Sequence, residues 1–225
     1  MPKPNQNYFA IIGDLVGSRA MEPKERVQVQ KRFQTILDKA NKDFRDEIAS
    51  LFLITAGDET QGVLKRPDFC CEIIRQIQIE LTPTEIVFGL GYGPLTTALG
   101  EYAVGADGPA FYLARQALVE AKEERKAYGK SILREVRLHS EAPLRDATID
   151  SLFLAVSLLK SHWTVKQAKI LKLLQQGKTT TETAKFLKIP LSNISRTVEK
   201  THFRELELLF AALRQIFHEG FNKSG

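Results

Sequence analysis

The chain has 225 residues, of which 43% are hydrophobic, and a formal net charge of +5, which describes an ordinary globular protein of one large or two modest domains. No apolar run approaches the roughly 20 residues that span a bilayer, and the start of the chain has no apolar signal core, so we expect a cytoplasmic protein with no membrane contact. The only two cysteines, Cys70 and Cys71, are adjacent, which excludes a framework disulfide and a cysteine-based zinc site.

The first 142 residues alternate between strand and helix patterns. An apolar strand over Tyr8–Ala20 ends in Gly13, Asp14, Gly17 and Ser18. We then expect helices at about Pro23–Lys42, Pro67–Glu80 and Ala110–Tyr128, two strands around a tight turn within Leu51–Leu64, and further strands at Glu85–Thr97 and Ser131–Leu138. The resulting order, β-α-β-β-α-β followed by a helix and a strand, predicts an α+β fold of the ferredoxin-like kind.

Two Gly-Asp pairs are the candidates for chemistry in this body. In the predicted topology the first strand lies beside the hairpin of the second and third strands, so Asp14 and Asp58 should be neighbours. Adjacent carboxylates repel unless a cation or a shared proton compensates, and Mg²⁺ bound to phosphate oxygens would do so. The turn before the next helix predicts phosphate contacts by Gly17, Ser18 and Arg19. The alternative is that both aspartates merely stabilise tight turns.

A helix-turn-helix is predicted over Thr179–Lys200. Two short helices that cross steeply need a small residue at their contact, which Ala184 supplies. Four apolar residues fall where a shared core needs them: Leu187, Ile189, Ile194 and Val198. Pro190 suits the start of the second helix, and Ser192 or Asn193 can cap its free N–H groups.

The second of these helices has the composition of a DNA-recognition helix. Its outward positions are polar or charged, as contacts with base edges and phosphates require. From Ser151 onward the chain carries 12 basic and 5 acidic residues, a net charge of +7, whereas the preceding residues carry 20 and 22, a net charge of −2. Solubilising lysines on exposed helices are the alternative explanation. We predict DNA contacts by Ser192, Asn193, Ser195, Arg196 and Lys200.

The remaining helices define the predicted domains. A helix over Arg145–Lys160 should join the two parts, which gives a body of residues 1–142, a linker helix of residues 143–162 and a helix-turn-helix domain of residues 163–225. The last helix, Thr201–His218, is too apolar to face water and should pack on the helix-turn-helix, on the body, or on a second chain. Because helix-turn-helix proteins read paired half-sites as dimers, we expect a homodimer.

The body resembles the catalytic domain of class III nucleotidyl cyclases. The motifs that carry the resemblance are Gly-Asp-Leu-Val-Gly-Ser at Gly13–Ser18, Ala-Gly-Asp-Glu at Ala56–Glu59, the glycine-rich strand Phe88–Gly93, and Gly-Pro-Ala-Phe-Tyr-Leu-Ala at Gly108–Ala114. With the C-terminal helix-turn-helix included, nearly the whole chain is similar to the SatD family of bacterial proteins.

The cyclase resemblance implies roles for particular residues. It implies that Asp14 and Asp58 hold two metal ions that bridge a nucleoside triphosphate. It also implies an Asn and, four positions later, an Arg that orient the ribose and stabilise the developing charge. The aligned positions hold Tyr112 and Gln116, and Arg115 lies one residue away, about 100° around the helix. Since a neutral amide does not replace a guanidinium, the resemblance implies nucleotide binding without cyclisation.

Three functions follow from these predictions. The favoured one is a DNA-binding regulator whose cyclase-like body dimerises or senses a nucleotide with Mg²⁺. A divergent nucleotidyl cyclase or other phosphoryl-transfer enzyme is the second. The third is a protein–protein adaptor, which is favoured by Lys188 at a turn position where helix-turn-helix motifs often have glycine.

Overall fold

The computed structural model of the chain describes residues 6–55, 57–128 and 134–221. Ala56 of the predicted turn and the start of the predicted strand Ser131–Leu138 lie outside these residues. The strands are β1 Asn7–Leu15, β2 Ile48–Ile54, β3 Glu59–Leu64, β4 Ile86–Pro94 and β5 Val136–His139. The helices are α1 Pro23–Asp43, α2 Cys70–Leu81, α3 Pro109–Tyr128, α4 Pro143–Ser161, α5 Val165–Gln175, α6 Thr180–Leu187, α7 Leu191–Lys200 and α8 Phe203–Phe221.

The strands form one mixed sheet in the order β2-β3-β1-β4-β5. The pairs β2/β3, β3/β1 and β1/β4 are antiparallel, and β4/β5 is parallel. The central strand β1 is apolar almost throughout because both of its faces are covered, and residues 8–13 are all buried. The chain is therefore an α+β protein, as its sequence predicts.

Each face of the sheet has its own hydrophobic core. On one face, Phe9, Ile11 and Leu15 of β1 pack with apolar residues of α1, α2, α4 and α8. On the other face, Ala10 and Ile12 pack with α3 and with residues of the loop that precedes it. Helix α3 is the one helix among the described residues that covers this second face.

Glycines of β4 bring α3 unusually close to the sheet. A Cβ atom at Gly89 would overlap the carbonyl oxygen of Ala114, and a Cβ atom at Gly91 would overlap that of Ala110. The helix backbone therefore rests directly on the strand backbone, which is a usual reason for glycine within a strand. This contact fixes where the backbone of α3 lies relative to β4.

The last helix, α8, folds back onto the body. Phe217 and Phe221 lie against Phe9 of β1, with ring centroids 5.7 and 4.7 Å away. The Arg145 side chain of α4 stacks over the Phe221 ring at 3.6 Å and donates a hydrogen bond to the Gly220 carbonyl oxygen. The sequence left open whether this apolar helix packs on the helix-turn-helix, on the body or on a second chain. In the structure it packs on the body.

Helices α5–α7, which we call the helical unit, form a small core of their own around Ile170, Ala184 and Ile194. Each of the first two helices begins with a capping box, formed by Thr164 and Thr179 with the residues three positions later. The unit is connected at both ends to helices that pack on the sheet. The predicted domain boundaries at residues 142 and 162 stay predictions. Helix α8 shares its hydrophobic core with the body rather than with the helical unit.

The turn between α6 and α7 differs from the prediction in one respect. Helix α7 begins at Leu191, its N-cap residue is Pro190, and no side chain caps it. Ser192 and Asn193 therefore lie inside the first turn, so the prediction that either one caps α7 is wrong. Lys188 has φ 55° and ψ 44°, the left-handed conformation that glycine adopts most readily, so a lysine here makes the turn costlier without changing its shape.

An ionic cluster joins β5 to the helices on either side. Arg134 contacts Glu124 at 2.8 Å, and Arg137 contacts both Glu124 and Glu120 of α3. On the α4 side, the Leu138 N–H donates a hydrogen bond of 2.8 Å to Asp150 Oδ1. Burial raises the pKa of Asp150 from its ordinary value of 3.8 to about 6, against the lowering by that N–H group and the two arginines.

The close α3–β4 contact predicts unequal effects of alanine at neighbouring glycines. Gly91→Ala should lower the free energy of unfolding by about 3 kcal/mol, because its new methyl group collides with backbone that cannot give way. Gly93→Ala is the matched control, since its nearest atom is 3.3 Å away, and should cost less than about 1 kcal/mol. The measurement is urea denaturation of both variants. If Gly91→Ala and Gly93→Ala lowered the free energy of unfolding equally, the close contact of α3 with β4 at Gly91 would be contradicted.

Asp150 predicts a pH dependence of stability. Because its folded pKa is raised, the stability it contributes is fully present below about pH 4 and is lost as the pH rises through about 6. Asp150→Asn keeps the acceptor for Leu138, so the variant should gain up to about 3 kcal/mol relative to wild type between pH 4 and pH 7. The measurement is urea denaturation of both proteins across this range. A difference between them that does not change with pH would refute the assignment.

Candidate functional site

The ends of β1 and β3 bring the predicted site residues together. Asp14 lies opposite Glu59 in the β1/β3 register, and the Leu15 N–H donates a 3.1 Å hydrogen bond to the Asp58 carbonyl oxygen. Asp14 and Asp58 therefore lie at adjacent strand ends, which is the placement that the predicted topology implies. The Asp58 residue is buried, whereas the Asp14 side chain is partly exposed.

The turn after β1 is held by Asp58. Ser18, which is buried, donates a hydrogen bond from its hydroxyl to Asp58 Oδ2. Gly17 is exposed and has φ 71°, a conformation that a side chain would strain. Residues Ser18–Ala20 form only a short 3₁₀ turn, and α1 begins three residues further on. Of the three predicted phosphate-binding residues, Gly17 and Arg19 are thus exposed, whereas the Ser18 hydroxyl is directed inward.

Helix α3 supplies cations to the same place. Lys122 Nζ lies 2.9 Å from Asp14 Oδ2. Two turns earlier on the same face of α3, the guanidinium of Arg115 forms a two-pronged ion pair with Glu59, and this pair raises the pKa of Arg115. A small cavity of about 310 Å³ opens beside these contacts, bounded mainly by α3 side chains between Arg115 and Lys126.

The residues at this site do not fit a divalent metal as they are arranged. No group of three His, Cys, Asp or Glu side chains that could hold a metal ion exists within the described residues. Asp14 is neutralised by Lys122, and Asp58 is used to hold Ser18. Since unit charges 4 Å apart interact by about 4 kcal/mol near a protein surface, an ammonium group on Asp14 opposes a dication there. Metal binding by Asp14 and Asp58 stays a prediction.

The positions that align with the cyclase transition-state pair have other partners. The Tyr112 hydroxyl donates a 2.8 Å hydrogen bond to Asp107, which raises the pKa of the phenol, and Gln116 contacts Glu120 on its own helix. Arg115, which sequence reasoning set aside because it is turned by about 100°, faces Glu59 and the site. The sequence predicts that Arg115 is rotated about 100° from position 116. It does not predict that the Arg115 side of α3 is the side that faces the site.

Sequence reasoning missed Lys122 and the Arg115–Glu59 pair. One signal was available, because residues seven apart lie on the same side of a helix, so Arg115 and Lys122 had to share a face of α3. The seven-residue spacing of Arg115 and Lys122 does not predict the register of α3 against β1. That register depends on the glycine contact described above.

A second candidate surface lies on the helical unit. The five predicted DNA-contacting side chains, Ser192, Asn193, Ser195, Arg196 and Lys200, are all exposed on α7, whereas Ile194 is fully buried beneath them. The exposed cations of the unit are Lys166, Lys169, Lys178, Lys185, Lys188, Arg196 and Lys200, and none of these seven forms an ion pair with another described residue. The helical unit therefore carries an excess of positive charge, since its acidic residues are only Glu182 and Glu199.

One set of contacts joins the helical unit to the body, and another joins the two ends of the unit to each other. Lys172 of α5 and Gln176, the residue that follows α5, contact the Glu80 carboxylate of α2 at 2.7 and 2.6 Å. The Trp163 ring N–H donates a 3.2 Å hydrogen bond to the Thr201 carbonyl oxygen, which joins the start of α5 to the segment before α8. Trp163 is thus an anchor between helices. In the described part of the chain, no helix combines the length and hydropathy needed to cross a membrane.

The fold and its two sites define an α+β protein whose mixed sheet is followed by a basic helical unit. The chain belongs to the SatD family, whose family model matches residues 8–203. The comparison with curated proteins found no match.

Several solved structures that resemble this one are nucleotidyl cyclases. The dimeric guanylyl cyclase domain of the RhoGC fusion protein from the aquatic fungus Blastocladiella emersonii is 16% identical and matches with a TM-score of 0.41, covering 51% of this chain and 73% of that one. A bacterial light-regulated adenylyl cyclase is 12% identical, with a TM-score of 0.44 and coverage of 59% and 74%. The guanylate cyclase domain of RhGC from Catenaria anguillulae, in complex with GTP, is 14% identical, with a TM-score of 0.42 and coverage of 57% and 85%.

Proposed function

We propose that this protein is a cytoplasmic DNA-binding regulator that acts as a homodimer. Helices α6 and α7 form its helix-turn-helix, and α7 enters the major groove. The body is a ferredoxin-like, cyclase-like domain that pairs two chains or senses a nucleotide, without cyclising it. The observation that carries the proposal is the row of exposed polar and basic side chains on α7, in a helical unit with seven exposed cations that form no ion pair within the described residues.

The arrangement of α7 supports base reading. Asn193 and Arg196 are exposed on successive turns near the start of the helix, and Lys200 lies at its end. Arginine and asparagine make the two-pronged contacts that distinguish guanine and adenine, whereas a terminal lysine suits a phosphate. Because Arg196 and Lys200 form no ion pair within the described residues, both are available to an anionic partner.

The adaptor alternative loses the feature that favoured it. Lys188 adopts the left-handed conformation that the turn requires, so the absence of glycine does not imply a different packing of α6 on α7. A docking surface for another protein would also be expected to be less basic, because interface cores are depleted of lysine. The charge of the helical unit therefore favours nucleic acid as its partner.

The enzyme alternative has little support in the site. Tyr112 and Gln116 each bind a neighbouring acidic residue, and the guanidinium of Arg115 is paired with Glu59. A cation that is already paired is poorly placed to stabilise charge that develops on a transferring phosphate. We therefore propose a body that binds a ligand or a second chain and carries out no chemistry.

Ligand binding to the body would change DNA affinity through the contacts of Glu80 with the helical unit. This residue ends α2 on the body and holds α5 of the helical unit through Lys172 and Gln176. A ligand that binds one arrangement of this contact more tightly than another would shift the separation of two α7 helices in a dimer. Such a shift would change operator affinity, since half-site spacing is fixed by the DNA helix.

Substitutions on α7 test DNA binding. Arg196→Ala should weaken binding to a selected duplex by about 1–3 kcal/mol and relax its sequence preference, because a base contact is lost. Lys200→Ala should weaken binding to all sequences and lower the salt slope by about 1, as expected for a phosphate contact. The measurement is fluorescence anisotropy at several salt concentrations.

The matched control for these variants is Lys31→Ala. It removes one exposed positive charge from α1 of the body, so it changes the net charge equally but leaves the helical unit intact. Binding should be unchanged in this control. If Arg196→Ala and Lys200→Ala also retain wild-type affinity while remaining folded, the proposal is wrong.

A further inference from the structure

Three carboxylates lie at the adjacent ends of β1 and β3, where they would repel one another in isolation. Asp14 and Glu59 are opposite each other across the β1/β3 ladder, and Asp58 precedes Glu59. Each of them has a protein donor: Lys122 for Asp14, Ser18 for Asp58 and Arg115 for Glu59. The cluster is thus compensated from within the chain, by two cations of α3 and a hydroxyl group.

Lys122 is held at this place by the fold. Its helix rests on β4 through the backbone contacts at Gly89 and Gly91, so its Cα position relative to β1 cannot shift freely. From there the side chain extends to Asp14, with Nζ at 2.9 Å from Oδ2. Lys126, one turn further along α3, is exposed and forms no ion pair with a described residue, so proximity of a lysine to the site does not by itself create the contact.

We propose that the Lys122 ammonium group is a built-in counter-ion that replaces a divalent cation at Asp14. A pair of acidic residues at adjacent strand ends requires positive charge, and in this chain the helix provides it. Mg²⁺ or Mn²⁺ and the Lys122 ammonium group then exclude each other at Asp14, because both need the same carboxylate and repel each other. Any nucleotide that the body senses binds there without a metal bridge. This inference does not depend on DNA binding.

Manganese binding to the full chain tests the inference directly. Free Mn²⁺ is measured by electron paramagnetic resonance while wild type and variants are titrated. Lys122→Met keeps the length of the side chain and removes its charge, so it should bind Mn²⁺ at least 10-fold more tightly than wild type. Lys122→Gln should give the same gain. Adding Asp14→Asn to Lys122→Met should abolish it, because the carboxylate that the metal uses is gone.

Lys126→Met is the matched control, because it removes the same charge from the same helix without touching Asp14. It should bind Mn²⁺ as wild type does. The inference is overturned if wild type already binds Mn²⁺ as tightly as Lys122→Met, or if Lys126→Met gains as much as Lys122→Met. A gain that survives Asp14→Asn overturns it as well. Circular dichroism establishes that each variant is folded, and DNA affinity, measured separately, reports on the proposed function alone.

Discussion

The backbone contact between α3 and β4 determines where the charged side chains of the body lie. Without Cβ atoms at Gly89 and Gly91, the helix settles against the strand at a distance that no other residue would allow. That distance sets the register of α3 against β1 and so brings Lys122 to Asp14 and Arg115 to Glu59. The two ion pairs of the candidate site therefore depend on the absence of side chains at Gly89 and Gly91 of β4.

The path of the chain after the sheet explains how one part of the molecule could influence the other. Helices α4 and α8 both pack on the same sheet face, through Phe153, Phe217 and their neighbours, and the helical unit is the segment between them. A unit that is tethered at both ends responds to changes in the body more directly than one on a free linker. The Glu80 contacts with α5 add a third attachment.

The sequence predicted the fold more completely than the site. Strand β1, the order of elements and the apolar contacts of α6 with α7 follow from local periodicity and from small residues such as Ala184. The predicted cap of α7 was wrong because the N-cap residue is Pro190, two residues before Ser192, and helix ends are poorly defined by pattern alone. The spacing of Arg115 and Lys122 indicates that they share a face of α3, but their partners Glu59 and Asp14 could not be predicted, because they lie far away in the chain and the register of α3 against β1 has no local signal.

Selection of bound duplexes from a random-sequence DNA library, with the full chain at physiological salt, tests the central claim most directly. The account predicts enrichment of a motif with two halves related by two-fold symmetry, as a dimer that presents two α7 helices requires. Binding that is sequence-independent and disappears as salt is raised, with no motif enriched, would contradict a sequence-reading role for α7 and leave only the general attraction of a basic surface for phosphate.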